Sequence, residues 1–87
     1  VDAALLSRYE GTYELTPKLQ LTVTVENGSL MILPTEQPKY RARPYAEKDF
    51  FIPEVPAEVS FVLGEDGKAT QLVLRQGGGA MVAKRVK

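Results

Sequence analysis

The residues that most often perform nucleophilic catalysis are scarce in this chain. It contains no histidine and no cysteine, and its three serines are Ser7, Ser29 and Ser60. None of them lies in a Gly-x-Ser-x-Gly or Ser-x-x-Lys motif, and no imidazole is present to act as a base. A serine hydroxyl without an activating base is a weak nucleophile. The sequence therefore predicts no catalytic residue, and we interpret the serines as turn and strand residues.

Carboxylates are more abundant, but their spacing does not predict a metal or glycosidase site. Glu10 and Glu14 share one face of a predicted strand, and so would Glu47 and Asp49 if the strand that contains Asp49 began early. A metal centre or an acid–base pair needs such groups to converge in a cleft, whereas the outer face of a small sheet presents them to water. The Glu65-Asp66-Gly67 segment lacks the ligand spacing of a calcium loop and is typical of a hairpin turn. We predict no metal and no cofactor.

A glycine triplet and several basic residues raise the question of anion binding. A phosphate-binding loop leads into a helix, but the three glycines at residues 77–79 precede an alternating, strand-like segment. Tyr40 and Tyr45 interleave part of the basic set, as on some single-strand-binding barrels. The net charge is zero, with 11 basic and 11 acidic residues, so we predict solvated strand edges and no nucleic-acid partner. The basic set is Lys39, Arg41, Arg43, Lys84, Arg85 and Lys87.

Aromatic side chains offer two interpretations. A barrel of about eight strands is just wide enough either to be filled by side chains or to hold one small ligand. In the first interpretation the rings form the core, which the short predicted strands favour. In the second, the mouth of the barrel binds a small lipophilic or peptide ligand. The rings that would line such a site are Tyr9, Tyr13, Phe50 and Phe51.

The elements that carry these residues are strands. Apolar side chains alternate with polar ones over residues 9–15 and 19–26, and Asn27-Gly28 then provides a dipeptide that suits a type I′ hairpin. Further alternating segments follow, with turn signals every 8 to 12 residues. The pattern predicts an all-β fold: an antiparallel meander of seven to eight strands that forms a barrel or a strongly curled sheet.

The sequence predicts a short N-terminal segment followed by one domain. Residues 1–8 are predicted to be a linker or a short helix with Asp2 as its N-cap, and residues 9–87 a single domain. No apolar run approaches the ~20 residues of a membrane-spanning helix. The chain begins with Val1 rather than Met, and we interpret it as a piece excised from a longer protein.

Strict alternation also directs some apolar side chains away from the predicted core. An outward apolar patch on a small domain usually marks an interface, which could include self-association. The candidate interface residues are Met31, Leu33, Val62 and Val73.

The order of these motifs resembles a known family. Tyr9-x-Gly11-x-Tyr13-x-Leu15 is followed by Leu21-x-Val23 and Gly28-x-Leu30, then by Phe50-Phe51 and the hairpin around Asp66-Gly67-Lys68. Leu72-x-Leu74-x-Gln76-x-Gly78 and Ala83-Lys84-Arg85 complete the series. This succession is similar to the small lipocalin-like domain found C-terminal to serine-β-lactamase-like, or penicillin-binding-protein-like, hydrolases.

The resemblance implies a function that the composition does not. It implies a non-catalytic accessory domain joined in cis to a serine-hydrolase domain that holds the nucleophile, in a protein that is periplasmic or secreted. Such a domain would act in interaction, assembly or substrate access. The alternative is an independent lipocalin-like binding module.

Overall fold

The structure, a computed structural model, describes residues 3–87 and confirms the all-β prediction. Eight antiparallel strands follow one another around a closed barrel, each paired with its neighbours in sequence, and β8 returns to pair with β1. The strands are β1 (Gly11–Thr16), β2 (Leu19–Glu26), β3 (Ser29–Pro34), β4 (Tyr40–Pro44), β5 (Asp49–Ile52), β6 (Ala57–Leu63), β7 (Ala69–Gln76) and β8 (Gly79–Arg85).

The apolar and polar residues that alternate in the sequence lie alternately on the inner and outer faces of the barrel wall. In β2, Leu21 and Val23 are buried, whereas Thr22 and Thr24, which alternate with them, are only partly buried. The β2–β3 hairpin turns at Asn27 and Gly28, whose φ angles are 52° and 77°, as the Asn-Gly signal predicts. Tight turns of this kind keep consecutive strands adjacent, which explains the simple strand order.

The N-terminal residues close one end of the barrel. Helix α1 (Ala3–Leu6) runs into a 3₁₀ turn (Ser7–Tyr9), and the side chains of Leu6 and Tyr9 are buried in the core. This capped end also carries the β2–β3, β4–β5 and β6–β7 turns. The other four connections surround the opposite end, here called the mouth. Neither helical segment within residues 3–87 is long and apolar enough to cross a membrane.

The start of the domain differs from the sequence-based prediction. The prediction that Tyr9 begins the first strand is wrong: the helical segment continues to Tyr9, with the Glu10 N–H donating to the Ser7 carbonyl over 3.3 Å, and β1 begins at Gly11. Favourable helix residues from Ala3 to Leu6 outweigh the alternating pattern there. The proposed N-cap at Asp2 lies outside the described residues.

Gly11 lies where the barrel closes, in close approach to the backbone of the C-terminal residues. Its φ is +151°, and a Cβ at this position would lie 2.7 Å from the Lys87 carbonyl oxygen. That oxygen accepts a hydrogen bond from the Thr12 N–H, and the Val86 N–H donates to the Thr12 carbonyl over 2.7 Å. Any side chain at Gly11 would push these bonds apart.

Substituting Gly11→Ala should therefore destabilise the fold. We expect a loss of about 2–3 kcal/mol, because the unfavourable backbone conformation adds to the contact with Lys87. Chemical denaturation measures the loss. Gly28→Ala is the matched control: its φ is also positive, but a Cβ there would meet nothing within 4 Å, so about 1 kcal/mol is expected. Equal losses for the two variants would contradict this account of the closure.

Candidate functional site: the aromatic core and the barrel mouth

Four aromatic rings fill the capped half of the barrel. Tyr9 stacks on Phe61 with ring centroids 4.5 Å apart and planes 16° apart. Phe50 meets both rings edge-on at 5.7 Å, and Tyr13 meets Phe61 at 5.8 Å. Edge-to-face and offset-stacked pairs stabilise beyond the area that they bury. Three of the four predicted ligand-lining residues, Tyr9, Tyr13 and Phe50, are thus completely buried and packed together.

The polar ends of the two buried tyrosines are both satisfied. The Tyr13 hydroxyl donates to the Tyr9 carbonyl over 2.7 Å, and the Tyr9 hydroxyl donates to the Glu47 carbonyl over 2.8 Å. Burial raises the pKa of Tyr13 to about 12, against the opposing effect of Arg85. Burial also raises the pKa of Tyr9, although the neighbouring Arg8 guanidinium partly offsets the shift. Both phenols therefore act as neutral donors that fix the N-terminal segment to the barrel.

Phe51 stands apart from the other three predicted rings. It points outward, where it contacts the ring of Tyr45 with centroids 6.2 Å apart. The four predicted residues consequently do not line a common cavity. The period-2 geometry of a strand explains the separation, since adjacent residues such as Phe50 and Phe51 face opposite sides.

A polar network that the sequence analysis missed lies beside Phe51. Arg75 donates to Glu58 over 3.2 Å and to the Ser60 hydroxyl over 2.8 Å, and the Tyr45 hydroxyl donates to Glu58 over 2.8 Å. The Tyr45 and Arg75 hydrogen bonds lower the pKa of the Glu58 carboxyl, and the contact with Glu58 raises the pKa of Tyr45. Ser60 in turn donates to Asp49. The cross-strand pairing of Glu58 with Arg75 could have been predicted only with the register of β6 and β7.

The mouth holds a small apolar depression with a volume of about 100 Å³. Ligand pockets usually measure about 300–1,000 Å³, so the depression has room for one side chain rather than for a lipophilic molecule. Outside the rim, an open groove of about 620 Å³ runs between the β5–β6 turn and the β7–β8 hairpin. The depression is lined by Leu15, Leu19, Leu21, Ile32, Pro34, Gln37, Tyr40, Ile52, Val55, Ala57, Val59, Leu74 and Gln76.

The predicted interface residues belong to two separate surfaces. Met31 and Leu33 lie on β3, and Leu33 is exposed. Val62 lies on β6 and Val73 on the adjacent β7, three and four strands further around the barrel. The four residues therefore form two separate groups on the barrel and not one patch.

The basic residues are divided in the same way. Lys39, Arg41 and Arg43 lie on or next to β4, which is opposite β8 in the ring of eight strands. Lys39 forms an ion pair of 2.8 Å with Glu26. Arg85 donates to the carbonyls of Ala69 and Lys87, which ties it to the barrel wall. Among residues 3–87, no three acidic side chains cluster closely enough to hold a metal ion.

The fold and these residues define a class, an up-and-down antiparallel β-barrel of eight strands with a filled core and a shallow mouth. Comparison with known proteins then identifies the family. The chain belongs to the family described as "Domain of unknown function (DUF3471)", which matches residues 1–84. It is 36% identical over 87 residues to "Penicillin-binding protein 4*" of Bacillus subtilis (strain 168). That match covers 100% of this chain but only 19% of the relative's length. No solved structure matches the chain.

The Tyr13 phenol should make stability fall in strong base. Because its pKa is near 12 in the fold and 10.0 is its ordinary value, the neutral form is favoured by folding. This contribution, on the order of 3 kcal/mol, is complete below pH 10 and is lost as the pH rises through 12.

Thermal unfolding of the wild type and of Tyr13→Phe between pH 9 and pH 12 tests this expectation. The variant loses the hydrogen bond to Tyr9 and should be less stable at neutral pH by about 1 kcal/mol. Its stability should then fall less steeply than that of the wild type in the alkaline range. Parallel curves for the two proteins would refute the role assigned to Tyr13.

Proposed function

We propose that this barrel is a non-catalytic accessory domain of a larger serine hydrolase related to β-lactamases and penicillin-binding proteins. The observation that supports it is the match itself: the whole chain aligns with a fifth or less of a penicillin-binding protein. The remainder of that relative has ample length for a separate catalytic domain. In this proposal the nucleophile lies in that domain, in cis, and the full protein works in the cell envelope, in the periplasm or outside the cell.

The barrel itself supports a role in contact rather than in chemistry. Four of its aromatic side chains are buried in the core. Its titratable groups with shifted pKa values have structural partners: Glu58, for example, forms an ion pair with Arg75. Its surface offers a shallow mouth, an adjoining groove and exposed apolar side chains. We therefore propose that the domain positions the hydrolase, or limits access of substrate to it, through this surface.

Removing the barrel from the longer hydrolase should change how that protein works. We expect at least a threefold change in kcat/KM or a change in assembly state, because contacts with the barrel would no longer shape the active-site entrance. Steady-state kinetics and light scattering on the two forms provide the measurement. Identical kinetics and identical mass would refute an accessory role.

A second candidate is an independent lipocalin-like module that binds a small lipophilic or peptide ligand. The closed eight-stranded barrel favours it, since this architecture is used for ligand binding. The filled core and the small size of the depression count against it. Residues at the mouth, among them Leu19, Tyr40 and Val55, would contact such a ligand.

A panel of fatty acids, sterols and short apolar peptides separates the two candidates. If the barrel is an accessory domain alone, two-dimensional NMR spectra should show no saturable shift at Leu19, Tyr40 or Val55 at millimolar ligand. Saturable shifts confined to these residues, with a dissociation constant below about 10 μM, would favour the binding module. An unrelated polar ligand such as glucose serves as the control.

A further inference from the structure

One edge of β8 has backbone groups without a partner strand. The Val86 N–H donates to the Thr12 carbonyl, so the even-numbered residues of β8 direct their N–H and C=O groups towards β1. Within the described residues, the ladder between the two strands contains only the pairs Tyr13–Arg85 and Glu14–Lys84. Ala80 and Val82 therefore present two donors and two acceptors along an open edge.

A bulge in β1 explains why the ladder stops. The register between β1 and β2 shifts between Glu14 and Thr16, which leaves Leu15 as an extra residue on β1. Bulges bend a strand and increase its twist. Continuing the ladder would place Thr16 opposite Val82, but the pairing with β8 ends at Glu14, immediately before the bulged residue Leu15. The ladder that closes the barrel thus covers only the second half of β8 and leaves an opening beside its first half, on the side of the mouth.

The open edge lacks two of the usual protections against strand addition, a charged side chain and a proline. Natural edge strands are blunted by lysine, proline, bulges or a covering loop. Residues 79–83 of β8 contain neither a charge nor a proline. Met81 is 49% exposed and Val82 is 50% exposed, so apolar side chains accompany the free backbone groups. These are the features of a site that adds a strand.

The mouth lies directly beside this edge. Leu15, on one side of the opening, and Leu74, which pairs with Met81 on the other, both line the depression of about 100 Å³. That volume equals roughly three molecules of liquid water, or one aliphatic side chain. An added strand would direct alternate side chains inward. One of them would reach this depression.

The short length of the unpaired edge favours the binding of a short segment over the binding of a second copy of the chain. Paired antiparallel around Met81, a second copy would bring Gly78, the turn residue that precedes its β8, opposite Lys84. That position is already occupied by Glu14 of β1. A free stretch of five residues, about 17 Å long, accommodates a short strand without this collision.

We propose that the Ala80–Val82 edge receives a short, extended, uncharged segment of the hydrolase domain, which adds to β8 as a ninth strand. One aliphatic side chain of the segment fills the depression at the mouth. This inference rests on the proposed function, because it takes the hydrolase in cis as the source of the segment. It adds the place and the mode of the contact.

Amide hydrogen exchange with residue resolution tests the inference. In the 87-residue chain, whose closed barrel has its own core, the Ala80 and Val82 amides should exchange quickly. The Met81 and Ala83 amides, which face β7, should be protected and serve as internal references. In the intact longer hydrolase, exchange at Ala80 and Val82 should slow at least tenfold.

Proline variants of the intact hydrolase test the backbone contact separately. Val82→Pro removes an edge donor without touching the β7 ladder, so exchange at Ala80 should rise about tenfold towards its value in the isolated chain. Val82→Thr keeps the donor and the branched shape and should leave Ala80 protected. If Val82→Pro fails to fold, which circular dichroism would show, Ala80→Pro with exchange read at Val82 replaces it.

The outcomes separate this inference from the proposed function. Slower exchange on other parts of the barrel, but not at Ala80 or Val82, would overturn the strand addition and leave the accessory role intact. No slowing anywhere on the barrel would overturn both. Protection of Ala80 and Val82 in the isolated chain that increases with its concentration would overturn the hydrolase segment in favour of a second copy.

Discussion

The stacked contact between Tyr9 and Phe61 attaches the short N-terminal helical segment to the barrel. Hydrogen bonds within the segment alone would not hold it there. Tyr9 belongs to the short helical segment, and Phe61 to the middle of β6. A helical segment of this length has no stability of its own, because nucleation is costly and few bonds repay it. It is held by the ring, by the Tyr9 hydroxyl on Glu47 and by the Tyr13 hydroxyl on the Tyr9 carbonyl. The filling of the capped end of the barrel depends on this contact.

Strand positions could be read from the sequence because one face of each strand is buried. Leu21 and Val23 alternate with threonines for that reason, and the Asn-Gly turn between β2 and β3 has the positive φ angles that those residues tolerate. The number of strands and their antiparallel order followed from many such local signals. Tyr9 was misplaced because its inward orientation fits either a strand or the end of a helical turn.

The candidate site was less accessible to sequence reasoning because it depends on register. Whether Phe50 meets Phe61, and whether Arg75 reaches Glu58, is decided by how neighbouring strands align. The opening beside Ala80 depends on a single extra residue, Leu15, which the alternating pattern of β1 does not reveal. A ligand site at the mouth was predicted from large aromatic residues, yet aliphatic residues line most of the depression there.

The order of the strands around the barrel also has a kinetic consequence. Seven of the eight pairings join consecutive strands and can form as local hairpins, whereas the β1–β8 pairing joins opposite ends of the chain. Closing that long loop costs only ~2 kcal/mol more entropy than closing a hairpin. It must nevertheless wait until the curled sheet brings its two edges together. Folding should thus pass late through an open sheet in which the outer edges of β1 and β8 are unpaired. At that stage, exchange of strands between molecules competes with closure of the barrel.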